Sequence, residues 1–171
     1  MLALAGQVVR ALEQRGLTLS VAESCTGGLI GDLVTDVPGS SRVYPGGVVA
    51  YANRPKRDLL GVPAELLQAH GAVSAEAVLA MAEGVRRALG TDVGVGVSGV
   101  AGPTGGSAEK PVGTVFIACV TPTASEVERH VWTPEPGAGE TDGDGSPLRE
   151  HNKHKSALAA LELVLRMVDG G

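Results

Sequence analysis

The sequence is poor in aromatic residues, in cysteine and in positive charge, and each scarcity closes off a class of protein. Its 171 residues include one Trp, two Tyr and one Phe, too few for the stacked platforms that grip single-stranded nucleic acid. Formal net charge is −5. Glu135, Glu140, Asp142 and Asp144 supply four of those negative charges from one segment, 134–147, that holds no Lys or Arg. The remainder has no overall basic surface of the kind that binds DNA or RNA. Two cysteines need not form a disulfide framework, because a chain this long can bury a core without staples. No run of about 18 apolar residues occurs, so no membrane span is expected. The N-terminal residues lack a basic leader and a cleavage pattern, and the expectation is a soluble cytoplasmic domain. The length fits one domain over 1–171.

Glycine, by contrast, is abundant. Twenty-five glycines point to tight turns and close backbone approaches around a core of Val, Leu and Ala. Apolar spacing predicts helices over 2–15, 29–34, 55–60, 63–69, 75–89 and 148–168, with Ser74 as the cap of the fifth. Strands are predicted over 17–23, 47–52, 92–100, 113–121 and 125–133, the last two close enough to form an antiparallel pair. Helices alternate with strands early and a hairpin comes late. That order predicts a three-layer α/β/α sandwich on a mixed, mostly parallel sheet with an antiparallel strand. The Gly, Pro and acid residues of 134–147 predict a flexible surface loop.

Three segments carry chemistry. Ser24-Cys25-Thr26-Gly27-Gly28 is a strand-to-helix turn, where free N–H groups and a positive dipole gather. It can hold an anion, present Ser24 or Cys25 as a nucleophile beside an oxyanion hole, or serve as a plain helix cap. Tyr51-Ala52-Asn53 followed by Arg54, Lys56 and Arg57 is either a solvated basic turn or the site of a lysine base. A lysine working near neutral pH must lose about 3 units of pKa, roughly 4 kcal/mol of desolvation or cationic neighbours. The third segment, 99–107, follows a central strand and is built either for backbone approach to a ligand or as a surface turn. Gly94-Val95-Gly96-Val97-Ser98-Gly99 matches a dinucleotide fingerprint in letters. Its glycines lie inside a strand and no helix follows, so nicotinamide dinucleotide binding through this motif is rejected. His151 and His154 lack a third ligand, and no metal or other cofactor is expected. Cys119 reads as a core residue.

Taken in order, these segments are similar to one family. Ala22-Glu23-Ser24-Cys25-Thr26-Gly27-Gly28, Val37-Pro38-Gly39-Ser40-Ser41, Gly46-Gly47-Val48-Val49-Ala50-Tyr51-Ala52-Asn53 and Lys56-Arg57-Asp58-Leu59-Leu60-Gly61-Val62 open the series. His70-Gly71-Ala72-Val73-Ser74, Gly99-Val100-Ala101-Gly102-Pro103-Thr104-Gly105-Gly106 and Glu109-Lys110-Pro111-Val112-Gly113-Thr114-Val115 complete it. Together they resemble the C-terminal domain of the competence/damage-inducible CinA family, in its stand-alone form. The resemblance implies an amidohydrolase that converts nicotinamide mononucleotide to nicotinic acid mononucleotide and ammonia in pyridine-nucleotide salvage. It also implies a homo-oligomer, with a dimer favoured. The family's nucleophile falls on Ser24, its lysine on Lys56 and its tyrosine on Tyr51. Backbone N–H groups near Thr26, Gly27 and Gly28 are expected at the oxyanion. Ser40, Ser41, Gly102, Thr104, Gly105 and Gly106 are expected at the ribose and phosphate. The rival expectation is a nucleotide- or partner-binding member of the fold that is catalytically weak or has lost turnover. It rests on Gly145, which stands where the family carries an Arg, with Arg149 or Lys153 as substitutes, and on the acidic segment before it.

Overall fold

The computed structural model describes residues 1–132 and 146–170. Five strands form one sheet in the order β2-β1-β3-β4-β5, with β1 Leu19–Glu23, β2 Gly46–Val49, β3 Val93–Gly99, β4 Thr114–Val120 and β5 Ser125–Val131. β1 runs parallel to β2 and to β3, whereas β4 is antiparallel to both of its neighbours. The predicted mixed sheet with one reversed strand is the one observed. Among the described residues six α-helices flank it: α1 Leu2–Arg15, α2 Leu29–Thr35, α3 Asn53–Asp58, α4 Ala64–His70, α5 Ala75–Leu89 and α6 Ser146–Asp169.

α1, α2 and α6 cover one face, where Val8, Leu12, Ile30, Leu161 and Leu163 pack on Val21, Val93, Val95, Val97 and Ile117. α5 covers the other, its Ala77, Met81 and Val85 meeting Ala22, Ala50 and Leu60. The Val/Gly alternation of β3 explains this asymmetry. Its valines fill the first layer, and a Cβ at Gly94 or Gly96 would collide with the α5 carbonyls of Ala82 and Val78. These glycines therefore admit a helix backbone rather than a dinucleotide, because two layers can approach this closely only without a side chain between them.

Some boundaries differ from those predicted, for local reasons. β2 ends at Val49 rather than 52: Ala50 still donates its N–H to Glu23 O at 2.8 Å, but its own carbonyl turns away from the ladder to accept from Lys56. α6 begins at Ser146, with Pro147 in its first turn, a place where the missing proline N–H costs nothing. Residues 134–145 of the expected acidic loop, Gly145 among them, lie outside the described residues. Among the described residues no helix is long and apolar enough to cross a membrane.

Candidate functional site

The three parallel strands end on one side of the sheet, and the chemistry gathers there. Ser24 follows β1, Ala50 and Tyr51 follow β2, and Ser98 and Gly99 close β3. This is the edge at which open α/β sheets hold ligands. A cleft of about 360 Å3 is lined there by Ser24, Lys56, Ser98 and Tyr51, the 99–106 loop and Arg149.

Alternation along β1 turns Ser24 toward the α5 side and Glu23 toward α2. The Glu23 carboxylate, 1% exposed, accepts N–H bonds from Gly28 at 2.9 Å, Ile30 at 3.1 Å and Gly31 at 2.9 Å. It takes up the orphan donors of α2 and supplies the negative charge that a helix start favours. The chain folds back onto that carboxylate because Gly27 and Gly28 adopt φ of 66° and 102°, values that side chains resist. The turn thus leaves β1 sharply, with Ser24 at its apex.

Lys56 reaches the same point from α3. It is 1% exposed, its Nζ lies 3.0 Å from Ser24 Oγ, and it donates to Ala50 O at 2.8 Å. Burial lowers its pKa from the ordinary 10.5, because an ammonium loses hydration that two neutral oxygens do not replace. Arg54 and Arg57, expected as cationic neighbours, instead point out and pair with Asp58. Desolvation is the leading cause of the shift. An amine that holds its proton less tightly than usual thus lies 3.0 Å from a serine hydroxyl, the separation that proton transfer between them requires.

Cys25 is a different case. Burial pushes its thiol up to about 12, and its side chain packs into the layer under α1 and α6 with Val97 and Ala101. A thiol so raised is inert, which removes it as the alternative nucleophile. Cys119 is likewise buried, with its thiol at about 12.

Two of the three N–H groups expected at the oxyanion, those of Gly27 and Gly28, are already taken. Gly27 N–H is bound to Ser24 O at 3.2 Å and Gly28 N–H to Glu23. Within residues 24–28, the N–H groups of Cys25 and Thr26 have no acceptor outside their own residues, and of the two residues Cys25 lines the cleft. Thr26 itself is fully buried, its Oγ1 unpartnered, and neither it nor Gly27 nor Gly28 lines the cleft.

Tyr51 is 61% exposed and bonds neither Ser24 nor Lys56. Its hydroxyl accepts from Arg149 Nη2 at 2.5 Å, and Arg149 Nη1 donates to Gly102 O at 2.8 Å. The guanidinium therefore spans the mouth, held by two neutral oxygens and by no carboxylate among the described residues. Beside it, Asn152 Nδ2 holds Ala101 O at 2.9 Å. Of the residues expected at the ribose and phosphate, Gly102, Thr104, Gly105 and Gly106 line the cleft and Ser40 and Ser41 do not. They form a 3-10 turn ahead of β2, at the opposite end of the sheet.

Sequence reasoning missed Glu23 as a turn clamp and Ser98 as a cleft residue. Neither has a signal in spacing: Ser98 depends on which strand lies beside β1, and Glu23 on the fold-back that brings the Gly28, Ile30 and Gly31 N–H groups onto its carboxylate. Among the described residues, His151 and His154 join no group of three potential metal ligands.

Comparison with known proteins agrees with this architecture. The family model for the CinA C-terminal domain matches residues 1–168. A CinA-like protein of Syntrophotalea carbinolica is 45% identical over 163 residues, which is 95% of this chain and 36% of that protein. One from Gemmatimonas aurantiaca is 57% identical over 115 residues, 67% of this chain and 27% of that protein. The chain thus spans about a third of the length of the curated relatives it matches. The crystal structure of the competence/damage inducible protein CihA from Agrobacterium tumefaciens superposes with a TM-score of 0.86 at 36% identity, covering 97% of this chain and 94% of that one. A CinA superfamily protein of Klebsiella pneumoniae gives 0.88 at 30% identity, covering 99% and 98%. By matched length, identity and fold, the chain belongs to the CinA C-terminal domain family.

Proposed function

We propose that this chain is a serine amidohydrolase that converts nicotinamide mononucleotide to nicotinic acid mononucleotide and ammonia. The observation that carries the reading is the buried Lys56 amine 3.0 Å from Ser24 Oγ. Burying a lysine against a serine is costly, and ligand binding alone has no use for it. Proton removal from a nucleophile does.

The chemistry runs in two halves. Lys56 takes the Ser24 proton as Oγ attacks the carboxamide carbon, and Ala50 O holds the amine in place. The N–H group of Cys25, a residue that lines the cleft, receives the oxyanion; losing one such donor typically costs about 2.7–4 kcal/mol of barrier. The C–N bond then breaks, the nitrogen takes the proton from Lys56, and ammonia leaves. Water, deprotonated by the same amine, hydrolyses the Ser24 ester. Arg149, with Tyr51 beside it, meets the nucleotide phosphate at the mouth; guanidinium and phosphate suit each other in charge and geometry. Tyr51 acts at this end of the substrate rather than on the Ser24 proton.

The test is incubation of the purified protein with nicotinamide mononucleotide, following ammonia and the acid product. Turnover in the unmodified protein and its loss in Ser24→Ala is the expected result. Tight binding with no ammonia from the unmodified protein would replace this reading with that of a ligand-binding relative.

A further inference from the structure

Ser98 has no role in the steps above, yet the fold sets it beside the nucleophile. Glu23 of β1 pairs with Val97 of β3, and Ser24 donates its N–H to Val97 O at 2.9 Å. The next pair in register is therefore Ser24 and Ser98, on strands about 4.8 Å apart. Gly94 and Gly96 face α5, so alternation puts Ser98 on that face as well, the face from which Lys56 reaches Ser24. Ser98 is 1% exposed, lines the cleft, and makes no side-chain hydrogen bond to another described residue. A nearly buried hydroxyl without a protein partner is expensive unless something else occupies it.

We infer that the Ser98 hydroxyl receives the nitrogen of the scissile carboxamide, and that it restricts the enzyme to unsubstituted amides. The inference rests on the amidohydrolase reading. A carbon bonded to Ser24 Oγ carries three other groups, and the site has three directions for them. The oxyanion faces the Cys25 N–H group, and the ring points to the open mouth at Tyr51 and Arg149. Nitrogen is left for the floor, where Ser98 stands with Ala72 and Val73. There the Ser98 oxygen accepts an N–H bond. The C–N bond breaks with its electron pair passing to nitrogen and the proton coming from Lys56, and Ser98 is unchanged at the end. A substituent on the nitrogen would press against β3.

The experiment compares nicotinamide mononucleotide with its N-methylcarboxamide analogue in the unmodified protein, Ser98→Ala and Ser98→Gly. Ser98→Ala is expected to lower kcat on the primary amide about tenfold to a hundredfold, the loss of one hydrogen bond to the reacting group, with KM within about threefold. Ser98→Gly, which extends the glycine pattern of β3, is expected to raise the kcat/KM ratio of the N-methyl to the primary amide at least about tenfold by opening the floor. A kcat within about twofold for Ser98→Ala, or an unchanged ratio in Ser98→Gly, overturns the inference. Silence of the unmodified protein on both substrates would instead bring down the amidohydrolase reading itself. Thermal unfolding midpoints of both variants, expected to stay near that of the unmodified chain, separate a lost contact from a lost fold.

Discussion

A single amine sets the behaviour of the site with pH. Because burial lowers the Lys56 pKa from 10.5, there is a window below 10.5 in which the unfolded chain binds a proton that the folded chain does not. Stability therefore rises with pH across that window and falls on acidification through it. Lys56→Met keeps the length of the side chain and removes the titration. Relative to the unmodified protein, the variant should gain stability as pH is lowered from about 10.5 toward about 8, read by denaturant unfolding at both values. Parallel curves would mean that Lys56 is charged in the folded state. Activity should follow the same group in the same sense, with kcat dropping on the acid side as Lys56 takes up its proton and becomes unable to accept one from Ser24.

The turn between β1 and α2 is the element that positions Ser24, the proposed nucleophile, and its clamp is Glu23. Glu23→Gln leaves one oxygen to accept where there were two, and sets an amide NH2 against N–H donors. The cost should be about 2–3 kcal/mol in unfolding free energy, the scale of a hydrogen bond to a charged group, with a fall in kcat because Ser24 loses its apex position. A variant with unchanged stability and rate would show that the glycines alone hold the turn. Much of this element was legible in the sequence. Hydroxyl residues followed by two glycines, between a β-branched run and an apolar helix, predict the turn, and the basic cluster just beyond a strand offers Lys56 as a base, with a solvated basic turn as the alternative. The partner of each N–H was not legible. Gly27 and Gly28 looked free as oxyanion donors, but Glu23 and Ser24 claim them through a fold-back that no spacing rule encodes. The same holds for Ser40 and Ser41, whose hydroxyls suit a ligand but whose position before a parallel strand puts them at the far end of the sheet. In a parallel unit a loop before a strand and a loop after it lie on opposite sides.

At the scale of the whole molecule, the cleft is assembled from parts remote in the chain. Ser24, Lys56, Ser98 and Arg149 come from four different segments, and α6 reaches across to hold both Ala101 O and Gly102 O. Arg149 thus braces the loop and, on the proposed reading, also recognises the phosphate, and the two roles can be separated kinetically. Arg149→Met should raise KM for nicotinamide mononucleotide about tenfold to a hundredfold, the worth of a charge-assisted contact. It should change far less for the riboside that lacks the phosphate. Equal losses on both substrates would assign Arg149 to bracing alone.

That brace also gives the protein a light signal of its own. Trp132, the sole tryptophan, stacks on His130 with ring centroids 4.4 Å apart, and its Nε1 donates to Ser156 Oγ at 3.0 Å. Ser156 donates in turn to Asn152 O at 2.6 Å, and Asn152 grips the cleft wall at Ala101. Indole emission is sensitive to its hydrogen-bond partner, so any ligand that draws the 99–106 loop inward will be visible in the fluorescence of the unlabelled chain. Titrating nicotinic acid mononucleotide into Ser24→Ala while exciting only the indole would then follow occupancy of the cleft with no turnover and no attached dye.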